Sequence, residues 1–128
     1  MITGIGVDIV KVGRFKKWIE DPGLAARFFH PDELSVLKKD AASACQSLAV
    51  RFAAKEAFGK ALGTGLKGLI LKDICVKQNP FGKPTLTLFG TARKRFENSG
   101  AKNIHISLSH EDEYAVACVV LEGVKEEV

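Results

Sequence analysis

Arg51-Phe52-Ala53-Ala54-Lys55-Glu56-Ala57-Phe58-Gly59-Lys60-Ala61-Leu62-Gly63-Thr64-Gly65 is the stretch on which the reading of this chain turns. Up to Leu62 it holds no proline and no β-branched residue, and alanine is the strongest helix former. Gly63-Thr64-Gly65 supplies the stop. Followed toward the N-terminus, the apolar period continues to about residue 43, predicting one long helix over residues 43–62. At about 100° per residue, Phe52, Glu56, Gly59, Lys60 and Gly63 share one face, while Val50, Ala54, Ala57, Phe58 and Ala61 form the opposite, core-facing stripe. A mid-helix glycine costs about 1 kcal/mol against alanine, so Gly59 implies close approach by something. The plainer alternative is a surface pair, Glu56 with Lys60 at i,i+4, worth about 0.2–0.5 kcal/mol.

Outward from the helix, residues 1–10 alternate as a strand whose one face carries Ile2, Gly4, Gly6 and Asp8. That face is nearly bare, leaving room for a ligand or for another backbone. Asp8 is either the N-cap of the next helix or a functional carboxylate. The pair Gly4 and Gly6 does not make a dinucleotide loop, since Ile9 stands where the third glycine belongs. Gly59-Lys60 does not make a phosphate-binding P-loop either: Ala61 replaces Ser/Thr and Ala54 replaces the first glycine. Residues 11–20 read as a basic amphipathic helix with Val12, Phe15 and Ile19 inward and Arg14, Lys16 and Lys17 outward. Short helices are expected over 24–29 and 31–39, the latter opened by Pro31 or Asp32. Strands are expected over 69–76 and 85–89 around the 79–84 turn, then a short helix over 91–98, then a hairpin of 104–109 and 114–121 joined by 110–113. Helices first and hairpins later give an α+β fold: a single small domain over 1–128, its long central helix packed on antiparallel strands.

Composition bounds the function. The 128 residues are 46% hydrophobic and 27% charged, with 12 glycines and 4 prolines, which fits one ordinary globular domain. No apolar run approaches the roughly 20 residues of a membrane span, and the opening residues lack a secretory signal, so the chain reads as cytoplasmic, with no membrane partner. Cys45, Cys75 and Cys118 are odd in number and scattered among apolar residues, so they read as reduced, buried thiols. Residues 1–104 hold 18 Lys and Arg against 9 Asp and Glu, whereas 105–128 hold 1 against 6. A basic body favours a polyanionic partner, and charge alone does not choose which. A small RNA-associated domain is one reading, but Trp18 is the only Trp and Tyr114 the only Tyr, so stacking platforms for bases are scarce. An inactive scaffold is another.

If Asp8 and Glu56 converge, two carboxylates without cysteine or histidine companions suit a hard cation. Magnesium takes one or two carboxylates and completes its octahedron with waters and phosphate oxygens. The expected substrate is then a phosphate ester or anhydride. Lys60, Lys55 and Arg51 recur along the helix toward the Asp8 side, where they are expected to hold further phosphate charge. Of the histidines, His30 reads as a loop residue, His105 as structural, and His110 is best placed to touch a ligand.

Taken in order, Gly4-Ile5-Gly6-Val7-Asp8-Ile9-Val10, the fifteen-residue helix motif, Gly82-Lys83-Pro84, His105-Ile106-Ser107-Leu108-Ser109-His110 and Tyr114-Ala115 closely resemble the holo-acyl-carrier-protein synthases. The likeness spans nearly the whole chain. The resemblance implies a subunit of the 4′-phosphopantetheinyl transferase type, assembled as a homotrimer with active sites between subunits. It implies Mg2+-dependent transfer of 4′-phosphopantetheine from coenzyme A to a serine of apo acyl carrier protein, releasing adenosine 3′,5′-bisphosphate in the service of fatty acid biosynthesis. By that likeness Asp8 and Glu56 are the magnesium ligands. Lys60 neutralises or protonates the leaving phosphate. Glu56, directly or through a water, takes the serine proton, with Asp8 as second candidate. Arg51, Lys55, Gly63 and the 79–84 turn, with Gly82, Lys83 and Pro84, hold the 3′-phosphoadenosine part of coenzyme A, and His110 contacts a phosphate from the neighbouring subunit. The carrier is a strongly acidic helical protein, so Arg14, Lys16, Lys17 and Arg27 are the expected docking surface. No nucleic-acid partner is expected.

Overall fold

The computed structural model describes residues 1–124; residues 125–128, the end of the acidic segment and of the 1–128 domain, lie outside the described residues. Strand β1 (Ile2–Lys11) runs into a 3-10 turn (Val12–Phe15) and the short helices α1 (Lys16–Glu20) and α2 (Pro22–Phe28). After a 3-10 stretch (Pro31–Lys38) comes the central helix α3 (Ala41–Leu62), followed by strands β2 (Ile74–Gln78) and β3 (Pro84–Leu88), helix α4 (Gly90–Asn98) and the hairpin β4 (Ala101–His110) and β5 (Tyr114–Gly123). The strands form two antiparallel sheets, one ordered β1-β5-β4 and one of β2 with β3. This is the expected mixed helical and antiparallel architecture.

Helix α3 is buried on nearly every side, with Arg51, Phe52 and Glu56 partly covered and Lys60 exposed. Its start is fixed by Asp40, which accepts from the Ser43 backbone N–H at 3.0 Å and from the Ser43 hydroxyl at 2.8 Å. Its end is fixed by Gly63 at φ +85°, the left-handed conformation a side chain resists. The helix lies against the inner face of the three-stranded sheet, where Ala115, Ala117, Val119 and Leu121 of β5 are buried. Alanines at these positions let helix and sheet approach closely, and β1 comes closer still. A Cβ on Gly4 would collide with the Ala61 carbonyl, and one on Gly6 with the Ala57 carbonyl. The bare face of β1 is therefore filled by another backbone, the second of the two possibilities open from sequence. Gly59 has the same explanation, since a Cβ there would lie 2.7 Å from the Gly65 carbonyl as the chain doubles back.

Three expectations shift. Residues 11–20 are not one helix but a 3-10 turn followed by five α-helical residues. The segment starts with no side-chain cap, and its Val12 N–H is held at 2.9 Å by the Glu113 carbonyl of the β4–β5 turn. Residues 31–38 are 3-10 rather than α, clamped at the start by a reciprocal cap: the His30 ring accepts from Asp32 N–H, and Glu33 accepts from His30 N–H. The strand expected over 69–76 begins only at Ile74. Residues Leu71–Asp73 form a 3-10 turn instead, and the Leu71 carbonyl turns inward to the Lys55 ammonium, as does the carbonyl of Ile74 at the strand's first residue.

Phe15, Trp18, Phe28, Phe29 and Phe52 pack ring against ring at one end of the core, with Phe15 and Phe29 fully buried. Each such ring contributes about 1.5–3 kcal/mol of apolar burial. The outer face of the three-stranded sheet is different. Ile5, Val7 and Ile9 are 64%, 51% and 60% exposed, and the register sets them beside Val120, Cys118 and Val116. Of the three thiols, Cys45 and Cys75 are buried as expected, and Cys118 is half-buried on this outer face.

Candidate active site

The close seating of Gly4 and Gly6 on α3 carries the next inward residue of β1, Asp8, to the exposed row of the helix. There the Lys60 ammonium donates to Asp8 Oδ1 at 3.0 Å and to the Val7 carbonyl at 3.0 Å. Lys60 is thus paired across 52 residues of sequence rather than with Glu56 one turn back. Asp8 caps no helix; the residue at the cap position is Lys11. Both plain alternatives open from sequence, the surface pair and the cap, give way to one cluster. Glu56 belongs to it: burial pushes its carboxyl up from the ordinary value, the negative charge of Asp8 pushes it further, and Lys60 and Arg14 partly offset this. Arg14 is itself held over the rings of Phe52 and Phe15, at 5.3 and 5.8 Å from their centres.

Two carboxylates, with the charges of Lys60 and Arg14 beside them, make an oxygen-lined spot at the edge of the molecule. The charge of Asp8 adds to burial in raising the proton affinity of Glu56, and a hard divalent ion relieves that repulsion. The donor set therefore fits magnesium held by Asp8 and Glu56.

A second constellation lies around Arg51, in a groove of about 370 Å³ lined by Lys39, Ser47, Arg51, Gly82, Pro84 and His110, among others. The Arg51 Nη1 donates to the Ser47 carbonyl at 3.2 Å, while its buried Nε has no partner among the described residues. Burial pulls the guanidinium below its ordinary value, and the negative charge of Glu33 works against this. The guanidinium is thus partly covered, with one buried donor left for an acceptor. Gly82 and Pro84 of the groove belong to a turn in which Asn79 Oδ1 accepts from both Phe81 N–H and Lys83 N–H at 2.9 Å, and Gly82 takes φ +81°. Lys83 itself turns to a neighbouring groove with Lys102 and His105. Gly63 closes α3 one turn beyond Lys60.

Lys55 stands apart from the expectation. It is fully buried, and its three N–H bonds go to Glu33 Oε1 at 2.7 Å and to the carbonyls of Leu71 and Ile74. No donor is left for a phosphate, so Lys55 belongs to the core and not to a coenzyme A site. Its position 140° around the helix axis from Lys60 follows from their five-residue spacing. Glu33 was not singled out from sequence; the signal available was its third place in a helix start beginning at Pro31. A further group, His30, Asp32 and Cys75, brings ligand-type atoms within 4.8 Å of one another. Its members are engaged internally: Asp32 pairs with Lys77 at 3.1 Å, His30 caps the 3-10 stretch, and burial pushes the Cys75 thiol up to about 11.

Comparison with known proteins shows the family. The model of the 4′-phosphopantetheinyl transferase superfamily matches residues 4–119. A holo-[acyl-carrier-protein] synthase of Treponema denticola is 53% identical over 123 residues, covering 96% of this chain and all of the relative. The crystal structure of a holo-(acyl-carrier-protein) synthase from Bacillus anthracis in complex with coenzyme A (3′,5′-ADP) superposes with a TM-score of 0.81 at 35% identity, covering 97% of this chain and 99% of that one. That of the Helicobacter pylori synthase in complex with coenzyme A gives 0.76 at 31% identity over 92% and 99%. The chain belongs to the 4′-phosphopantetheinyl transferase superfamily and, within it, to the holo-[acyl-carrier-protein] synthase group of transferases.

Proposed function

We propose that the protein moves 4′-phosphopantetheine from coenzyme A to a serine hydroxyl of apo acyl carrier protein, releasing adenosine 3′,5′-bisphosphate, with Mg2+ held by Asp8 and Glu56. The observation that carries this reading is the convergence of Asp8, Glu56 and Lys60 from opposite ends of the fold's closest helix–strand contact. Bound there, magnesium supplies Lewis-acid neutralisation of diphosphate charge. Glu56, directly or through a water, takes the serine proton, and Asp8 is the second candidate. Lys60 neutralises the leaving bisphosphate. Arg51, with the buried donor at its Nε, and the Gly82 to Pro84 wall hold the 3′-phosphoadenosine part.

The two halves sit at opposite edges of one sheet. Asp8 lies on β1 and His110 on β4, with β5 between them, about 9–10 Å apart in strand spacings alone. Such a split supports a site completed by a neighbouring copy, the His110 and Arg51 wall of one subunit facing the Asp8 cluster of the next. The exposed outer face of Ile5, Val7 and Ile9 supports a homotrimer that buries it. Arg14, with Lys16 and Lys17, faces a shallow groove beside Trp18, and Arg27 lies on Phe28; these serve as the docking surface for the acidic carrier. No helix among the described residues is long and apolar enough to cross a membrane, and a cytoplasmic role in fatty acid biosynthesis fits the reaction.

Intact mass spectrometry of apo carrier incubated with coenzyme A, Mg2+ and this protein tests the reading. One added phosphopantetheine, absent with Glu56→Gln, is the expected result; no gain with several carriers would return the chain to the RNA-associated alternative.

A further inference from the structure

Lys60 holds Asp8 at the place where a divalent ion would bind. Two of its three N–H bonds are committed there, one to Asp8 Oδ1 and one to the Val7 carbonyl. The Asp8 side chain is mostly covered, at 16% exposure, whereas that of Lys60 is half exposed. The carboxylate is thus fixed by the fold, and the ammonium rests on it at the end of a four-carbon stem that can swing. Glu56 has no ion-pair partner among the described residues and feels Lys60 and Arg14 only from farther off.

A divalent ion entering this arrangement meets an ammonium within a few ångströms and must compete with it for Asp8. Asp8 cannot retreat, since β1 is pressed onto the helix backbone at Gly4 and Gly6. Lys60 can, and a second anion favours the move, because leaving Asp8 for water forfeits the pairing. A diphosphate supplies such an anion, with stronger charge-assisted acceptors than one carboxylate oxygen.

We propose that Lys60 is a placeholder cation: it occupies Asp8 until the diphosphate of coenzyme A draws its ammonium away, so that metal and coenzyme A enter the site together rather than metal first. The inference rests on the magnesium and coenzyme A reading above. Its consequence is coupling. Coenzyme A strengthens metal binding by more than direct coordination provides, and the metal strengthens coenzyme A binding by the same factor.

Electron paramagnetic resonance of Mn2+, which takes the same oxygen ligands, counts free ion directly. The titration is run on the unaltered protein, Lys60→Met and Asp8→Asn, each with and without coenzyme A, against coenzyme A alone as blank. Lys60→Met removes a half-exposed side chain, and the fold is checked by its unfolding curve. With exchange, Lys60→Met tightens Mn2+ binding on the order of tenfold without coenzyme A, and the further tightening due to coenzyme A shrinks by that same factor. If Lys60 stays on Asp8 throughout, the substitution tightens Mn2+ equally in both conditions and the coupling is unchanged; that result overturns the exchange and leaves the metal site standing. If Asp8→Asn alters Mn2+ binding in neither condition, the metal site itself fails and the exchange with it.

Discussion

Lys55 Nζ lies 2.7 Å from Glu33 Oε1, with both side chains sealed from solvent, and this pair ties the central helix to the 3-10 stretch and to β2. Breaking it from either side leaves a lone buried charge. Lys55→Met and Glu33→Ala are each expected to cost about 3–5 kcal/mol of stability, while the double variant costs much less than their sum. Denaturant unfolding measures all three. Were Lys55 a coenzyme A ligand instead, Lys55→Met would lower coenzyme A affinity and leave the unfolding curve in place.

Glu56 makes an opposite prediction. Its carboxyl binds a proton more tightly in the folded protein than in the unfolded chain. Stability from that group is therefore full in acid and lost as pH rises through the raised value. Glu56→Gln abolishes transfer yet is expected to be at least as stable as the unaltered protein at about pH 7, with the difference fading at about pH 4. Thermal midpoints at the two pH values decide it; a variant less stable at neutral pH would make Glu56 a structural residue.

The seating of β1 on α3 is expected to tolerate no methyl group. Gly6→Ala drives a Cβ into the Ala57 carbonyl, costing about 1–3 kcal/mol and displacing Asp8 from Lys60. Calorimetric unfolding and the Mn2+ titration report the two effects separately. An alanine variant unchanged in both would mean that the close contact positions nothing.

A shared site predicts complementation. Asp8→Asn and Arg51→Ala chains are each inactive alone. Mixed one to one and allowed to exchange in a head-to-tail ring, they rebuild about a quarter of the composite sites. Transfer activity after verified exchange measures this, and no recovery would confine the site to one chain. Val7→Asp, in the middle of the exposed apolar face, is expected to reduce the sedimenting species from three chains to one.

Much of this was legible from residue types and spacing. Gly4, Gly6 and Asp8 fall on one strand face and Glu56 and Lys60 one turn apart on a helix, because period-2 and period-3.6 patterns fix which side chains share a face; that the two faces meet is a supposition at that level. What approaches those glycines was not legible, since only packing shows that α3 itself fills the space. Lys55 misled for a related reason. A lysine between Arg51 and Glu56 on a basic chain reads as solvent-facing, and its burial depends on Glu33, 22 residues away, and on the inward carbonyls of Leu71 and Ile74 much later in the chain. Nothing local announces such a partner. The 3-10 form of residues 31–38 was hidden likewise: the start at Pro31 or Asp32 is visible, but the His30 and Glu33 cap is not, since Glu33 is turned into the core toward Lys55.

The most direct measurement pairs two products in one reaction: adenosine 3′,5′-bisphosphate released and serine-linked phosphopantetheine gained by the carrier, with Mg2+ and after its removal by EDTA. The account predicts one bisphosphate per modified carrier, both lost on metal removal and restored by adding Mg2+ back. Carrier modified equally in EDTA, or bisphosphate released without modification, would contradict it.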